Sequence, residues 1–333
     1  MSAVAELAHG GVYLRMCLAP LAEVLARPDV TDVYINRPGE LWLETLDGNI
    51  QRIEDGDLTG PVLERLARQI AALTHQGVSR EHPLLAAAMP DGSRVQIVAP
   101  PATRGPIALA IRRQISAGMT LRDYEAASHF ANTGTKSGGR EEAEIAELIS
   151  GRKFAQGLAL AVQARKNIVV AGGTSTGKTT FLNALLREVP ADERLILIED
   201  TPELITSHEN SVGLVCVRGA LGEAKVTAND LVSAALRMRP DRIIVGELRG
   251  PEAFAFLRAV ASGHPGSMTT IHADSPEAAV EQLVMLVLHG GTKLGRSDVR
   301  AFVEQSIDIF VQLSRVDGRR RIDCVKLCRR GLT

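Results

Sequence analysis

The run Gly172-Gly173-Thr174-Ser175-Thr176-Gly177-Lys178-Thr179-Thr180 limits what this chain can fold into more than any other stretch. It has the P-loop spacing, with Gly172, Gly177, Lys178 and Thr179 in the fixed positions. Glycines let the backbone turn its N–H groups inward around phosphate oxygens, where a Cβ would obstruct them. Lys178 adds a positive charge on a flexible stem, and the Thr179 hydroxyl can bind Mg²⁺. Such a loop joins a strand to a helix, and the flanks comply. Asn167 to Ala171 reads as a short buried strand, and Thr179 to Arg187 reads as the helix whose N-terminus faces the phosphates. The chemistry expected at this loop is binding of a nucleoside triphosphate, ATP, with Mg²⁺.

The rest of the chain divides around this element. After Glu141 the pattern alternates strand and helix, as in a mostly parallel sheet, with strands near 168–171, 195–199, 242–246 and 268–272. Pro276 to His289 reads as a helix with proline at its start. Before it, Asp32 to Asn36, Glu40 to Glu44, Arg94 to Val98 and Ile107 to Ile111 read as strands. Leu63, Leu66, Ile70 and Leu73 repeat at helical spacing. That part reads as a smaller α/β domain, a sheet with helices on one side. Ala131 to Arg140 has a hinge's composition. The expected division is 1–132 for the N-terminal domain, 133–140 for the linker and 141–333 for the P-loop domain.

Composition matters chiefly for what it excludes. Lys plus Arg number 38 and Asp plus Glu 39, so the balance gives no support to a general nucleic-acid binder. Aromatics are 3% of residues, too few for an extended base-stacking surface. Cys17, Cys216, Cys324 and Cys328 have no metal-site spacing and read as free thiols. No apolar run approaches the ~18 residues of a membrane span, and the expected location is cytoplasmic.

Two acidic clusters follow predicted strands, at the edge where parallel sheets carry their sites. Glu199 and Asp200 follow Leu195 to Ile198, and Glu247 follows Ile243-Ile244-Val245-Gly246. Gly246 stands where a metal-binding Asp often sits in a Walker B strand. This leaves Glu247 to orient the attacking water and assigns metal duty to Thr179, with Glu199 or Glu247 acting through water. His272 ends the strand Met268 to Ile271 and can sense a γ-phosphate or polarise water. His264, in a glycine-rich turn, and Arg239, ahead of the Glu247 strand, are weaker candidates.

Four segments taken in order, GGTSTGKTT, LILIEDTPEL, RPDRIIVGELRG and GHPGSMTTIHADSPEAA, resemble the secretion-ATPase superfamily. With DVYINRPGELWLE, MPDGSRVQIVAPPA and IALAIRR in the N-terminal half, the chain resembles the VirB-type traffic ATPases of type IV secretion systems. The resemblance implies a RecA-like P-loop domain and a homohexamer, with nucleotide held between the N- and C-terminal domains. It implies two N-terminal arginines at the γ-phosphate, Arg94 and Arg112, with Arg113 competing for the second place. It further implies inner-membrane secretion components as partners; with no spanning segment, attachment at the cytoplasmic face is expected to be peripheral, and the charge balance and scarce aromatics leave only indirect contact with nucleic acid. A pilus assembly or retraction ATPase and a nucleic-acid translocase are the alternatives.

Overall fold

The computed structural model describes residues 11–113, 122, 125, 138–216 and 223–328. An antiparallel sheet comes first. Its strands are β1 (Val30–Ile35), β2 (Glu40–Thr45), β3 (Ile50–Glu54), β4 (Leu84–Ala88), β5 (Arg94–Val98) and β6 (Ala108–Arg112), in the spatial order β3-β2-β1-β6-β5-β4. Alternation along each strand separates two faces. Val33, Ile35, Leu41, Leu43, Val95, Ile97, Leu109 and Ile111 share a core with Leu14 of α1 (Gly11–Leu18), Val24 of α2 (Ala22–Ala26) and Leu63, Leu66 and Ile70 of α3 (Gly60–Leu73). Tyr34, Val98, Ala108 and Ala110 belong to the opposite face, and they join the core of the second half.

The second sheet contains β7 (Ile168–Gly172), β8 (Leu195–Glu199), β9 (Ser211–Val215), β10 (Arg242–Leu248), β11 (Met268–Ile271), β12 (Ile309–Val316) and β13 (Arg319–Leu327). The order is β13-β12-β7-β11-β10-β8-β9, parallel throughout except for the β12–β13 hairpin. Its central strands are buried on both sides, which explains the apolar runs of β7, β8 and β10. One face packs on α4 (Gly138–Ser150), α5 (Phe154–Gln163) and α6 (Lys178–Leu186). The other packs on α7 (Ala228–Ala235), α8 (Glu252–Ala261), α9 (Pro276–His289) and α10 (Arg296–Ser306). The fold is thus the expected one, and the four strands read in this half are β7, β8, β10 and β11. The linker expected at 133–140 lies outside the described residues up to 137, and Gly138 to Arg140 already belong to α4.

The antiparallel sheet sits over the amino ends of β8 and β10 and along the edge strand β9. Arg194, just ahead of β8, is buried and stacks on Tyr34, its guanidinium carbon 4.2 Å from the ring centroid. It donates to Asn36 Oδ1 at 2.7 Å, and Asn36 donates in turn to Asn210 at 3.0 Å. Burial lowers its pKa to about 10. Arg239, ahead of β10, pairs with Glu44 across the domain boundary at 2.6 Å and with Asp241 on its own side at 2.5 Å. Arg239 therefore joins the two domains at the amino end of the sheet, the edge opposite the P-loop.

Candidate functional site

The P-loop follows β7 and opens α6, as a strand-loop-helix anion site requires. Gly177 caps the helix at φ +94°, a left-handed conformation in which a side chain would be strained. Lys178 is only 9% exposed, and its Nζ donates to the carbonyls of Gly172 at 2.9 Å and Gly173 at 3.0 Å. Burial holds its pKa below the ordinary lysine value, while the Glu247 charge acts in the opposite direction. Thr176 Oγ1 donates to the Gly173 carbonyl at 2.9 Å and closes the loop on itself.

Strand order decides what shares this edge. β7 is followed by β11, then β10, then β8, all parallel. Their carboxyl ends therefore bring together the P-loop, His272, Glu247 and Glu199. His272 is exposed just past β11. Glu247 pairs through Oε2 with Arg249, whose other nitrogen reaches Asp200 at 3.3 Å. Its Oε1 is buried with no hydrogen-bond partner among the described residues. Glu199 is held at both oxygens. Oε1 accepts from the backbone amides of Glu203 at 2.8 Å and Leu204 at 2.6 Å, and Oε2 pairs with Arg104.

The unpartnered Glu247 oxygen and the Thr179 position suit magnesium bound mainly by phosphate and water. Among the described residues no group of three or more acidic, histidine or cysteine side chains could hold a metal alone.

Arg94 and Arg112 are exposed and paired in register across β5 and β6, with Asp32 opposite Arg112 on β1. Burial raises the Asp32 carboxyl above its usual range, and the charges of Arg112 and Arg239 oppose that shift. Arg112 thus lies on the Arg239 side of the domain boundary, at the amino end of the parallel sheet. Within this chain the two arginines are not brought to the P-loop. Arg113 is engaged in its own domain, donating to the carbonyls of Val30 at 2.9 Å and Arg27. His264 precedes β11 and so lies at the opposite edge from His272. Its Nδ1 bonds the Ala259 carbonyl at 3.2 Å, and its own carbonyl accepts from Ser267.

Three arginines at this edge were not legible as site residues. Arg104 reaches Glu199 from the other domain, and Arg249 was hidden in the helix-start segment after Glu247. Arg320 rides on the β12–β13 hairpin, its Cδ 3.0 Å from where a Cβ on Gly177 would stand. With Phe181, Leu313 and Ile322 it bounds a cavity of about 400 Å³ beside Thr176, Gly177 and Thr180. The tripeptide Arg319-Arg320-Arg321 was the available signal, but it reads equally well as a solvated turn.

The family described as Type II/IV secretion system protein matches residues 139–316. Across 327 residues the chain is 36% identical to the type IV secretion system protein VirB11 of Bartonella henselae, covering 92% of this chain and 90% of that protein. It is 41% identical over 311 residues to the type IV secretion system protein PtlH of Bordetella pertussis, covering 90% of each. The crystal structure of the VirB11 ATPase from the Brucella suis type IV secretion system, in complex with sulphate, superposes with a TM-score of 0.88 at 36% identity. That match covers 95% of this chain and 98% of the other. Similarity of this extent, over both domains and the whole phosphate-binding edge, makes the chain a member of the VirB11/PtlH family of type IV secretion ATPases.

Proposed function

We propose that the chain is a Mg²⁺-dependent ATP hydrolase that works as a homohexamer to power assembly of, or substrate transfer through, a type IV secretion or conjugation system. The observation that carries this reading is the meeting of the P-loop, Glu247 and His272 on one sheet edge, in a chain of this family. The triphosphate lies against the backbone amides of Gly172 to Thr180, with Lys178 on its β- and γ-oxygens. The base and ribose extend into the cavity between Phe181 and Arg320. Thr179, with Glu247 or Glu199 acting through water, would hold magnesium, which would supply charge neutralisation at the phosphates. Glu247 orients the attacking water, and His272 senses the γ-phosphate.

Arg94 and Arg112 complete the site of a second copy, since their own P-loop lies at the far edge. A head-to-tail interface of that kind closes naturally into a ring. No helix among the described residues is long and apolar enough to cross a membrane. In this reading the ring stays in the cytoplasm and attaches peripherally, through inner-membrane components of the system.

Subunit mixing tests the arrangement. Lys178→Ala protein lacks a working loop but keeps its arginines, and Arg94→Ala/Arg112→Ala protein is the converse. Each alone is expected to be inactive. Mixed in equal amounts, they are expected to regain activity, because about a quarter of head-to-tail interfaces then pair an intact loop with intact arginines. Mixtures as inactive as their components would place the arginines in the same chain's site or outside the chemistry. Light scattering with a non-hydrolysable ATP analogue checks the assembly, which is expected at six times the chain mass.

A further inference from the structure

An edge strand offers unpaired backbone groups to any segment that can align with it. β9 is such an edge, and the turn between β5 and β6 of the N-terminal domain occupies it. The Val215 amide donates to the Ala102 carbonyl at 2.9 Å, and the Arg104 amide donates to the Gly213 carbonyl at 2.8 Å. Thr103 Oγ1 donates to the same Gly213 carbonyl at 3.2 Å, and Thr103 bridges Leu214 in the antiparallel sense.

This pairing lays the Arg104 side chain across β9, and only a residue without a Cβ lets it pass. A Cβ on Gly213 would collide with Cγ, Cδ and Nε of Arg104. Beyond β9 the guanidinium meets the end of β8, pairing with Glu199 Oε2 and donating to the Leu204 carbonyl at 3.0 Å. Glu199 is 4% exposed, so its charge depends on that cation and on the two amides that hold Oε1. On the next strand, a Cβ on Gly246 would lie 3.2 Å from Glu199 Cγ. The glycine that replaces the usual Walker B aspartate therefore makes room for Glu199. Arg104 of the N-terminal domain thus reaches Glu199, whose side chain fills the space beside Gly246, the residue before Glu247.

We propose that Arg104 is a positioning residue for nucleotide turnover. Anchored on β9 by its own domain, it fixes Glu199 against Gly246 and thereby sets the place of Glu247. Docking of the N-terminal domain and competence of the hydrolytic edge are then one event. The proposal rests on the reading of this edge as a nucleotide hydrolase.

The test uses the full chain and separates turnover from binding. ATPase kcat and the Kd of a fluorescent ADP analogue are measured for wild type, Lys178→Ala, Arg104→Ala, Arg104→Lys, Glu199→Gln and the double variant Arg104→Ala/Glu199→Gln. Arg104→Ala is expected to lower kcat about tenfold or more while Kd moves less than about threefold. Arg104→Lys is expected to recover part of the loss, and the double variant to fall no further than Arg104→Ala alone. Gly213→Val, which blocks the passage and leaves every charge in place, should lower kcat in the same way.

Wild-type kcat in folded Arg104→Ala, or independent losses in the double variant, would overturn the proposal. If Arg104→Ala and Gly213→Val both fail to fold, Arg104→Lys decides, and an unchanged kcat there also overturns it. Absence of Lys178-dependent hydrolysis in the wild type sinks the hydrolase reading and this proposal together. Normal Lys178-dependent hydrolysis with an indifferent Arg104 sinks the proposal alone.

Discussion

Lys178→Ala is expected to lower ATP turnover by about 10²- to 10³-fold, the cost of removing a preorganised charge from a site shielded from water. The lysine is 9% exposed, and burial already disfavours its charged form. Two loop carbonyls at 2.9 and 3.0 Å and the nearby Glu247 carboxylate keep the ammonium in place. A triphosphate adds counter-charge to that of Glu247, so the interaction strengthens as negative charge builds on the phosphoryl oxygens. Alanine removes that contact and the two bonds to the loop carbonyls, and leaves the Thr176–Gly173 bond to hold the loop. Lys178→Arg is expected to fail as well, because a planar fork does not fit between two carbonyls shaped around a compact ammonium. Steady-state ATPase assays and titration with a fluorescent nucleotide check both variants. Thermal unfolding should stay near wild type, since the change removes a buried cation rather than core packing. Turnover at the wild-type rate in Lys178→Ala would remove the loop from the chemistry.

The parts of this molecule that were legible in its sequence are those whose signals are local. The loop, β7 and α6 follow one another without interruption, so a single motif fixes all three. β8 and β10 carry short apolar runs that lead to Glu199 and Glu247, and the buried β11, Met-Thr-Thr-Ile, leads to His272, because a central parallel strand is covered on both faces and its charged groups collect at its end. β9 and the β12–β13 hairpin lack this signature. β9 alternates buried and half-buried residues at an edge, and Arg319–Leu327 is exposed or half-buried along its length, with a composition more typical of a loop. Arg320 was lost with the hairpin that carries it.

The docking of the domains could not be read because it depends on coincidences between distant residues. Thr103 meets Leu214, Arg104 meets Glu199, and Glu44 meets Arg239. Leu214 alone is an ordinary apolar strand residue, and each of the others is an ordinary polar residue in a turn or near a strand end. Gly213 shows the difficulty most clearly. In sequence it is a weak point in a strand, and only the path of Arg104 explains it. The reverse holds for Arg94 and Arg112, where register alone put both at one end of the sheet. The structure adds that this end faces away from the chain's own P-loop.

Glu247→Gln is expected to separate binding from hydrolysis, lowering kcat by about 10²- to 10⁴-fold, the range for loss of a general base. Nucleotide Kd should change less than about threefold, because the contacts that hold phosphate are made by the loop. The choice of Glu247 over Glu199 follows from their surroundings. Glu199 is committed to structure, with Oε1 taken by two backbone amides and Oε2 ion-paired with Arg104 of the other domain. Glu247 uses Oε2 for Arg249 and keeps Oε1 buried and unpartnered, next to the lysine that would hold the γ-phosphate. A buried acceptor without a donor is costly unless water or a ligand completes it. The substitution keeps the shape of the side chain and removes the basic oxygen, so what it changes is proton acceptance rather than packing. Single-turnover hydrolysis beside a binding titration makes the distinction. Slow chemistry with intact affinity places the base at Glu247. Full-speed chemistry would move it to another group on the same edge, and His272, exposed at the end of the intervening strand, would be the next to replace.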